Sequence, residues 1–292
     1  MEVENKITMK FKRAAPNFLT AFPRLIYRRM LSDYDRYFYE RPSPLYRRNI
    51  AKASSLPDFL EYATALCERG IVVIPNFFGQ ECLSEMRMEF ERLVKTNPPN
   101  AQAQKENSIH ISTSRFNETA VFGKILFEPN MLRLVQYYWG RPVVLNGTGG
   151  TRYEPAQLED RGSNQWHHDG KRKQVRVFIF LTDVPKDGQC TKYISGSHKK
   201  YHYDLVNSRL DKDAMPANAQ TMLCSGPAGS IAIIDTNGAH RANRNNGPRR
   251  DTWNFSFRAA DPLSAKLNPV PTLHPAIIQN LTMEQRLIAR IT

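Results

Sequence analysis

Acidic residues and cysteines are both in short supply in this chain. Only 28 Asp and Glu stand against 41 Lys and Arg in 292 residues, which leaves a formal charge of +13. Such a field favours an anionic partner: nucleic acid, an anionic membrane surface, or a phosphorylated or carboxylated substrate. Nucleic acid is not expected, because no basic-aromatic RNA motif and no zinc finger accompanies the charge. The four cysteines, Cys67, Cys82, Cys190 and Cys224, have no C-x-x-C spacing. That argues against a disulfide framework and a cysteine-based zinc site, and makes a reducing cytoplasm the expected compartment. Long apolar runs are missing too. No stretch of ~18 uninterrupted apolar residues exists, so a spanning helix is ruled out. The opening Met1-Glu2-Val3-Glu4-Asn5-Lys6 has no signal-peptide apolar region. Aromatics, by contrast, are plentiful. With 15 Phe, 12 Tyr and 3 Trp the chain has ample core material, and disorder as its dominant state is excluded.

Residues 1–50 stand apart, with eleven bases against five acids. Within them Phe18, Leu19, Phe22, Leu25 and Ile26 form one apolar stripe at helical spacing, and Arg24, Arg28 and Arg29 lie off it. A basic helix with such a face reads as one lying on a membrane surface, over residues 10–31. It reads equally as an amphipathic helix packed on the domain, with its arginines in water. The expected layout is a basic amphipathic extension over 1–50, a main domain over 51–262, and a tail over 263–292 carrying a short helix from Thr282 to Ile291.

The main domain opens with helices. Ser55 is placed to cap one carrying Phe59, Leu60, Ala63, Leu66 and Cys67, stopped by Gly70. The β-branched run Ile71–Ile74 is a strand, and a second helix carries Cys82, Leu83, Met86, Met88, Phe90 and Leu93. A further helix is expected from Phe122 to Tyr138. From residue 142 the pattern turns to strands: 143–146, 175–181, 229–234 and the alternating 252–257. Helices followed by separated strands imply a mainly β (α+β) domain with flanking helices, a β-sandwich or jelly roll.

The sharpest local signal is Trp166-His167-His168-Asp169. On a strand, His167 and Asp169 share a face and His168 points away. An imidazole and a carboxylate so placed are two thirds of the 2-His-1-carboxylate ligand set of non-haem Fe(II) oxygenases. His240, beyond the apolar strand 231–234, fits as the third ligand. Three protein ligands leave half of a six-coordinate iron open for a chelating cosubstrate and O2. A 2-oxoglutarate cosubstrate also needs a cation for its distal carboxylate, which arginine grips bidentately. Arg249 and Arg250 lie shortly beyond His240.

The spacing of these pieces resembles the phytanoyl-CoA dioxygenase family of Fe(II)/2-oxoglutarate oxygenases. That family shows W-H-x-D, a strand, a G-C-L-x-x-x-P-G-S-H segment, a distal His, and an Arg about ten residues on. Here the counterparts are 166–169, 175–184, Gly188 to His198, His240 and Arg249-Arg250. The entry strand 70–75 with Asn76-Phe77-Phe78 is similar too, so the likeness spans about residues 56–260. Gln189-Cys190-Thr191 departs from the G-C-L phrasing, and Ser195 stands where Pro is common.

The resemblance implies a double-stranded β-helix, the cupin-like jelly roll, with iron at one mouth. His167, Asp169 and His240 are then the metal ligands. Asp169 favours hydroxylation over halogenation, since related halogenases carry Gly or Ala there. The chemistry implied is C–H hydroxylation with release of succinate and CO2. If Trp253, Phe255 and Phe257 face outer helices, Arg250 and Thr252 face the interior and hold 2-oxoglutarate. A one-residue slip selects Arg249 instead. His198 is expected to be structural or at the rim of the site, and not bound to iron. Substrates among relatives include acyl thioesters, amino acids, sugars and secondary metabolites. The basic surplus points to an anionic substrate, presented at the inner face of a membrane if the extension binds there. The lipopolysaccharide Kdo hydroxylases, which act on an acidic sugar of lipid A, are one such similarity. A hydroxylase of a soluble small metabolite or an acyl thioester, and a jelly-roll binding module without metal, are the alternatives.

Overall fold

The structure is a computed structural model that describes residues 26, 30, 41–98, 105–159, 162–169, 173–199, 209–210, 219–260 and 271–291. The basic helix expected over 10–31 lies outside the described residues, except that Ile26 and Met30 are helical and exposed. No helix among the described residues is long and apolar enough to cross a membrane.

The first described helices are α1 (Pro44–Ala53) and α2 (Phe59–Arg69). Pro44 pre-sets the first turn of α1, and the Ser43 hydroxyl accepts from the Tyr46 N–H. The expected boundary at residue 50 falls inside this helix. α2 ends at Gly70, whose φ of 77° puts it in the left-handed conformation that suits glycine. Its N-terminus differs from expectation: Asp58 is the cap residue, and Ser55 bonds Asn130 instead. Strand β1 (Ile71–Ile74) and the long α3 (Gln80–Lys95) follow. Leu83, Met86, Phe90 and Leu93 recur at helical spacing along α3 and are all buried, whereas Met88, off that stripe, is exposed and Cys82 is only partly buried.

The single helix expected over 122–138 is two helices, α4 (Ala120–Ile125) and α5 (Pro129–Trp139). Pro129 lacks the N–H that a continuous helix would need there. It starts a new helix, whose first N–H groups, those of Asn130 and Met131, are taken by the Glu128 carboxylate. Arg47 of α1 donates to the Tyr137 and Tyr138 carbonyls at the far end of α5, which satisfies acceptors that a helix terminus leaves open.

The strands are β2 (Ser108–Ile111), β3 (Val143–Tyr153), β4 (Val175–Phe180), β5 (Thr191–Ile194), β6 (Thr221–Cys224), β7 (Ile231–Asp235), β8 (His240–Arg241) and β9 (Arg250–Ala259). They form two antiparallel sheets. The larger runs β1-β7-β4-β9-β3-β2 and the smaller β6-β5-β8. Single-residue bridges extend the smaller sheet, from His240 to His167 and from His167 to Arg209. This is the expected jelly roll.

The period-two pattern of the strands assigns the two faces of the larger sheet. Trp253, Phe255 and Phe257 of β9, Val177 and Ile179 of β4, and Ile231 and Ile233 of β7 join the helices in one core. Phe122 of α4 stacks on Trp253 at 3.9 Å with planes 4° apart. The opposite face, with Phe180, Ala232 and Ile234, meets Tyr193, Cys190 and Cys224 of the smaller sheet in a second core. The C-terminal α6 (Pro275–Ile278) and α7 (Met283–Ala289) add Ile277, Ile288 and Ala289 to the helical core. All four cysteines are free thiols. The Phe122–Trp253 stack sets the spacing between sheet and helices. Phe122→Ala is expected to lower the unfolding free energy by about 3–5 kcal/mol. Urea titration would show this as a lower midpoint at unchanged slope.

Candidate metal centre

His167 and His240 face each other across a two-bond backbone pair. The His167 N–H donates to the His240 carbonyl at 2.9 Å, and the His240 N–H returns the bond at 2.8 Å. Opposed residues of an antiparallel pair put their side chains on one face. The rings accordingly stand 4.4 Å apart, centre to centre. The expectation that His167 and Asp169 share a full strand is corrected: His167 is a single-residue bridge and Asp169 sits in the loop beyond it. The chain stays extended enough to deliver the carboxylate, because the Asp169 N–H is bonded to the Thr236 carbonyl at 2.7 Å.

The three side chains converge. Asp169 Oδ1 lies 3.7 Å from His167 Nε2 and 3.8 Å from His240 Nε2. One ligand atom from each of the three lies within 4.8 Å of the others, the span of donors around a single ion. The histidines are set for metal. His167 Nδ1 lies 2.8 Å from the Gln165 carbonyl, and His240 Nδ1 lies 2.9 Å from the Gly238 carbonyl. A carbonyl only accepts, so Nδ1 carries the hydrogen and Nε2 keeps its lone pair for an ion.

The local fields point the same way. Burial, aided by the neighbouring His240, pulls the His167 imidazole down to about 4. Burial also lowers His240. Both rings are neutral, as metal ligation requires, near neutral pH. Burial acts to raise the Asp169 carboxyl, but Arg176 and the nearby His240, His167 and His168 outweigh it and hold it below its ordinary value. Arg176 Nη2 stands 3.1 Å from Asp169 Oδ2, and its Nε donates to Ser256 at 3.2 Å. That leaves Oδ1 turned toward the histidines.

The remaining sequence candidates separate cleanly. Arg250 is 7% exposed and lies on the inner face of β9 with Thr252, opposite to Trp253. Its Nη1 donates to the Gln189 carbonyl at 2.5 Å and to Thr191 Oγ1 at 3.3 Å, and its guanidinium lies over the Tyr153 ring at 4.7 Å. Arg249 points to the helical side, where it meets Asp251 at 3.5 Å and Glu91 at 3.9 Å. His198 is structural: its Nε2 lies 3.2 Å from the Cys67 carbonyl, and its ring packs against Gly70. His168 is buried and outside the ligand cluster.

Sequence reasoning missed Arg176, Gln189 and Asp235. The signal for Arg176 was a lone charge at an alternate position of an apolar strand. For Gln189 it was the departure from the G-C-L phrasing. That side chain accepts from Arg244 at 2.7 Å, while its backbone carbonyl holds Arg250.

The family model of phytanoyl-CoA dioxygenase (PhyH) matches residues 66–251. The chain belongs to that family. It is an Fe(II)/2-oxoglutarate-dependent oxygenase by family and by its His-Asp-His cluster. Solved structures agree in fold. The non-heme alpha ketoglutarate dependent epimerase SnoN from nogalamycin biosynthesis is 15% identical, with a TM-score of 0.59, and the match covers 74% of this chain and 93% of SnoN. HygX from Streptomyces hygroscopicus, solved with nickel and 2-oxoglutarate, is 20% identical at a TM-score of 0.51, covering 68% and 86%. EctD from S. alaskensis, solved with bound Fe, is 15% identical at a TM-score of 0.58, covering 68% and 76%. No curated protein matches the sequence.

The buried His167 makes the metal-free protein acid-sensitive. Its folded value lies below the ordinary ~6.5 of an unfolded chain, so its contribution is complete above that pH and is lost as pH falls toward 4. The slope is at most ~1.4 kcal/mol per pH unit for one such group. Urea titrations of the metal-free protein between pH 7 and 4 should show falling stability, with a shallower fall in His167→Asn.

Proposed function

We propose that this oxygenase hydroxylates a C–H bond of an anionic small molecule, with 2-oxoglutarate as cosubstrate and succinate and CO2 as its products. The observation that carries the reading is the convergence of His167, Asp169 and His240, with one ligand atom of each within 4.8 Å of the others. Iron(II) bound there supplies oxygen activation coupled to oxidative decarboxylation of the keto acid. The protein contributes three ligands and leaves the other side of the ion open. Arg176 orients the Asp169 carboxylate so that Oδ1 faces the histidines.

Arg250 supports the reading as the holder of the distal carboxylate of 2-oxoglutarate, with Thr252 on the same face as a hydroxyl partner. A guanidinium this buried ordinarily has a counter-charge. Among the described residues its partners are neutral acceptors and a ring, and its Nε is buried without an acceptor. A carboxylate would supply both the missing charge and the missing acceptor. Arg249 already faces acids on the other side of the strand and is 45% exposed in its side chain. Removing a buried hydrogen-bonded charge partner costs about 2–5 kcal/mol. Arg250→Leu should therefore raise KM for 2-oxoglutarate by roughly 30-fold or more. Arg249→Leu should leave it within about twofold. The reverse pattern in coupled succinate assays would transfer the role to Arg249.

An anionic substrate is supported by the +13 charge and by Arg176, which is 30% exposed in its side chain beside the ligands. Presentation at a membrane, as for a lipid-linked acidic sugar such as Kdo, is supported by the basic amphipathic pattern of residues 10–31 and by the exposure of Ile26 and Met30. Sedimentation with anionic vesicles should pull down the full chain in a salt-sensitive manner and spare a chain lacking residues 1–40. Absence of binding by both would remove the membrane part and leave a soluble metabolite or acyl thioester as substrate.

A further inference from the structure

Asp235 closes β7, is fully buried, and takes no part in ligation. Every polar group it has is engaged. Oδ2 accepts from the Tyr138 hydroxyl of α5 and lies 3.7 Å from Lys173 Nζ. Oδ1 accepts from the Asn237 N–H at 2.9 Å. Its N–H donates to the Gly70 carbonyl at 2.8 Å. Its carbonyl accepts from the Gly238 N–H and from the Tyr193 hydroxyl, both at 3.0 Å. Together these bonds define a tight turn over residues 235–238, with an aspartate side chain standing in for a backbone acceptor at its start. Gly238 is required in it, because the Tyr193 hydroxyl occupies the space a Cβ would need.

The outward groups of this turn are the ones that hold the metal ligands. The Thr236 carbonyl takes the Asp169 N–H at 2.7 Å, and the Gly238 carbonyl takes His240 Nδ1 at 2.9 Å. Asn237 Oδ1 accepts from the Gln174 N–H at 3.2 Å, which ties the strand leading to Arg176 to the same turn. Lys173, the neighbour of Gln174, covers the far side, its ammonium 4.6 Å from the Tyr138 ring centre and 5.4 Å from that of Trp139. Two of the three ligands thus take their orientation from one turn, and the turn takes its shape from one carboxylate anchored on α5.

We propose that Asp235 is a positioning residue for the iron centre, acting through the 235–238 turn, with Tyr138 as its anchor. The proposal rests on the metal site described above. An asparagine at 235 offers one acceptor oxygen where the turn and Tyr138 each need one. Asp235→Asn therefore loses either the bond to Asn237 or the bond to Tyr138, and the carbonyls of Thr236 and Gly238 lose their fixed aim. Loss of groups that orient metal ligands typically lowers metal affinity by about 10–100-fold.

The test is titration with Co(II) alone, followed by its visible absorption, on the wild type, Asp235→Asn, Tyr138→Phe and Asp169→Ala, with circular dichroism and melting of each metal-free protein alongside. The expected result is a Co(II) Kd raised roughly tenfold or more in folded Asp235→Asn and to a smaller extent in Tyr138→Phe, with an altered ligand-field spectrum. Tyr138→Phe keeps the carboxylate and carries the test if Asp235→Asn does not fold. Folded variants with a lower melting temperature but the wild-type Kd and spectrum would overturn the positioning role. A wild type that binds Co(II) no better than Asp169→Ala would instead overturn the metal site itself.

Discussion

The structure depends on a pair of reciprocal backbone hydrogen bonds between His167 and His240. They are the point at which two remote stretches of chain become neighbours, and they place both imidazoles on one face at ligand distance. The bonds form because the smaller sheet is extended past β8 by a single bridging residue on the 167 side. A slip of one residue would turn one ring to the opposite face and separate the donors. The chemistry is thus held by main-chain geometry, which the surrounding cores keep in register.

Around that pair the protein keeps the ligands in the state a metal needs. Each histidine gives its Nδ1 hydrogen to the carbonyl two residues before it, Gln165 for His167 and Gly238 for His240. Burial keeps both rings neutral, while Arg176 stabilises the carboxylate of Asp169. Opposite treatments of two ligand types follow from one environment: low solvent access penalises charge, and the Arg176 guanidinium helps compensate the charge that must remain.

Charge placement on β9 follows the same sidedness. Asp251 turns outward and forms a two-bond ion pair with Arg152, at 2.9 and 2.7 Å, with Glu91 of α3 closing the network. Arg250, one residue earlier, turns inward between Gln189, Thr191 and Tyr153. The two faces of the strand therefore differ: Asp251 pairs with Arg152 on one, while on the other the partners of Arg250 among the described residues are neutral acceptors and a ring.

Much of this was legible from residues alone. The apolar runs of β1, β4 and β7 and the alternation of Trp253, Phe255 and Phe257 identify strands and their faces, because side-chain period is a local property of the backbone. The Trp166–Asp169 motif, the Gly188–His198 segment, the distal His240 and the arginines beyond it together carried the resemblance to the family and pointed to three candidate ligands. Local signals failed where a residue's task is defined by a distant partner. Nothing adjacent to Ser55 reveals that Asn130 captures it. The break at Glu128-Pro129-Asn130, by contrast, is a local signal, because proline cannot continue the preceding helix. Asp235 looks like the polar end of a strand until Tyr138 and the 235–238 turn surround it.

The sequence by itself pointed to the fold class, the family and three candidate ligands, through the local periodicity of its strands and the family resemblance carried by its motifs. Only the tertiary structure decided which arginine faces inward, how Asp169 keeps its aim from a loop, and which buried carboxylate holds the turn behind the ligands. The reason is physical: spacing along the chain sets which side chains share a face, whereas the partner across a core depends on how the sheets and helices close upon one another.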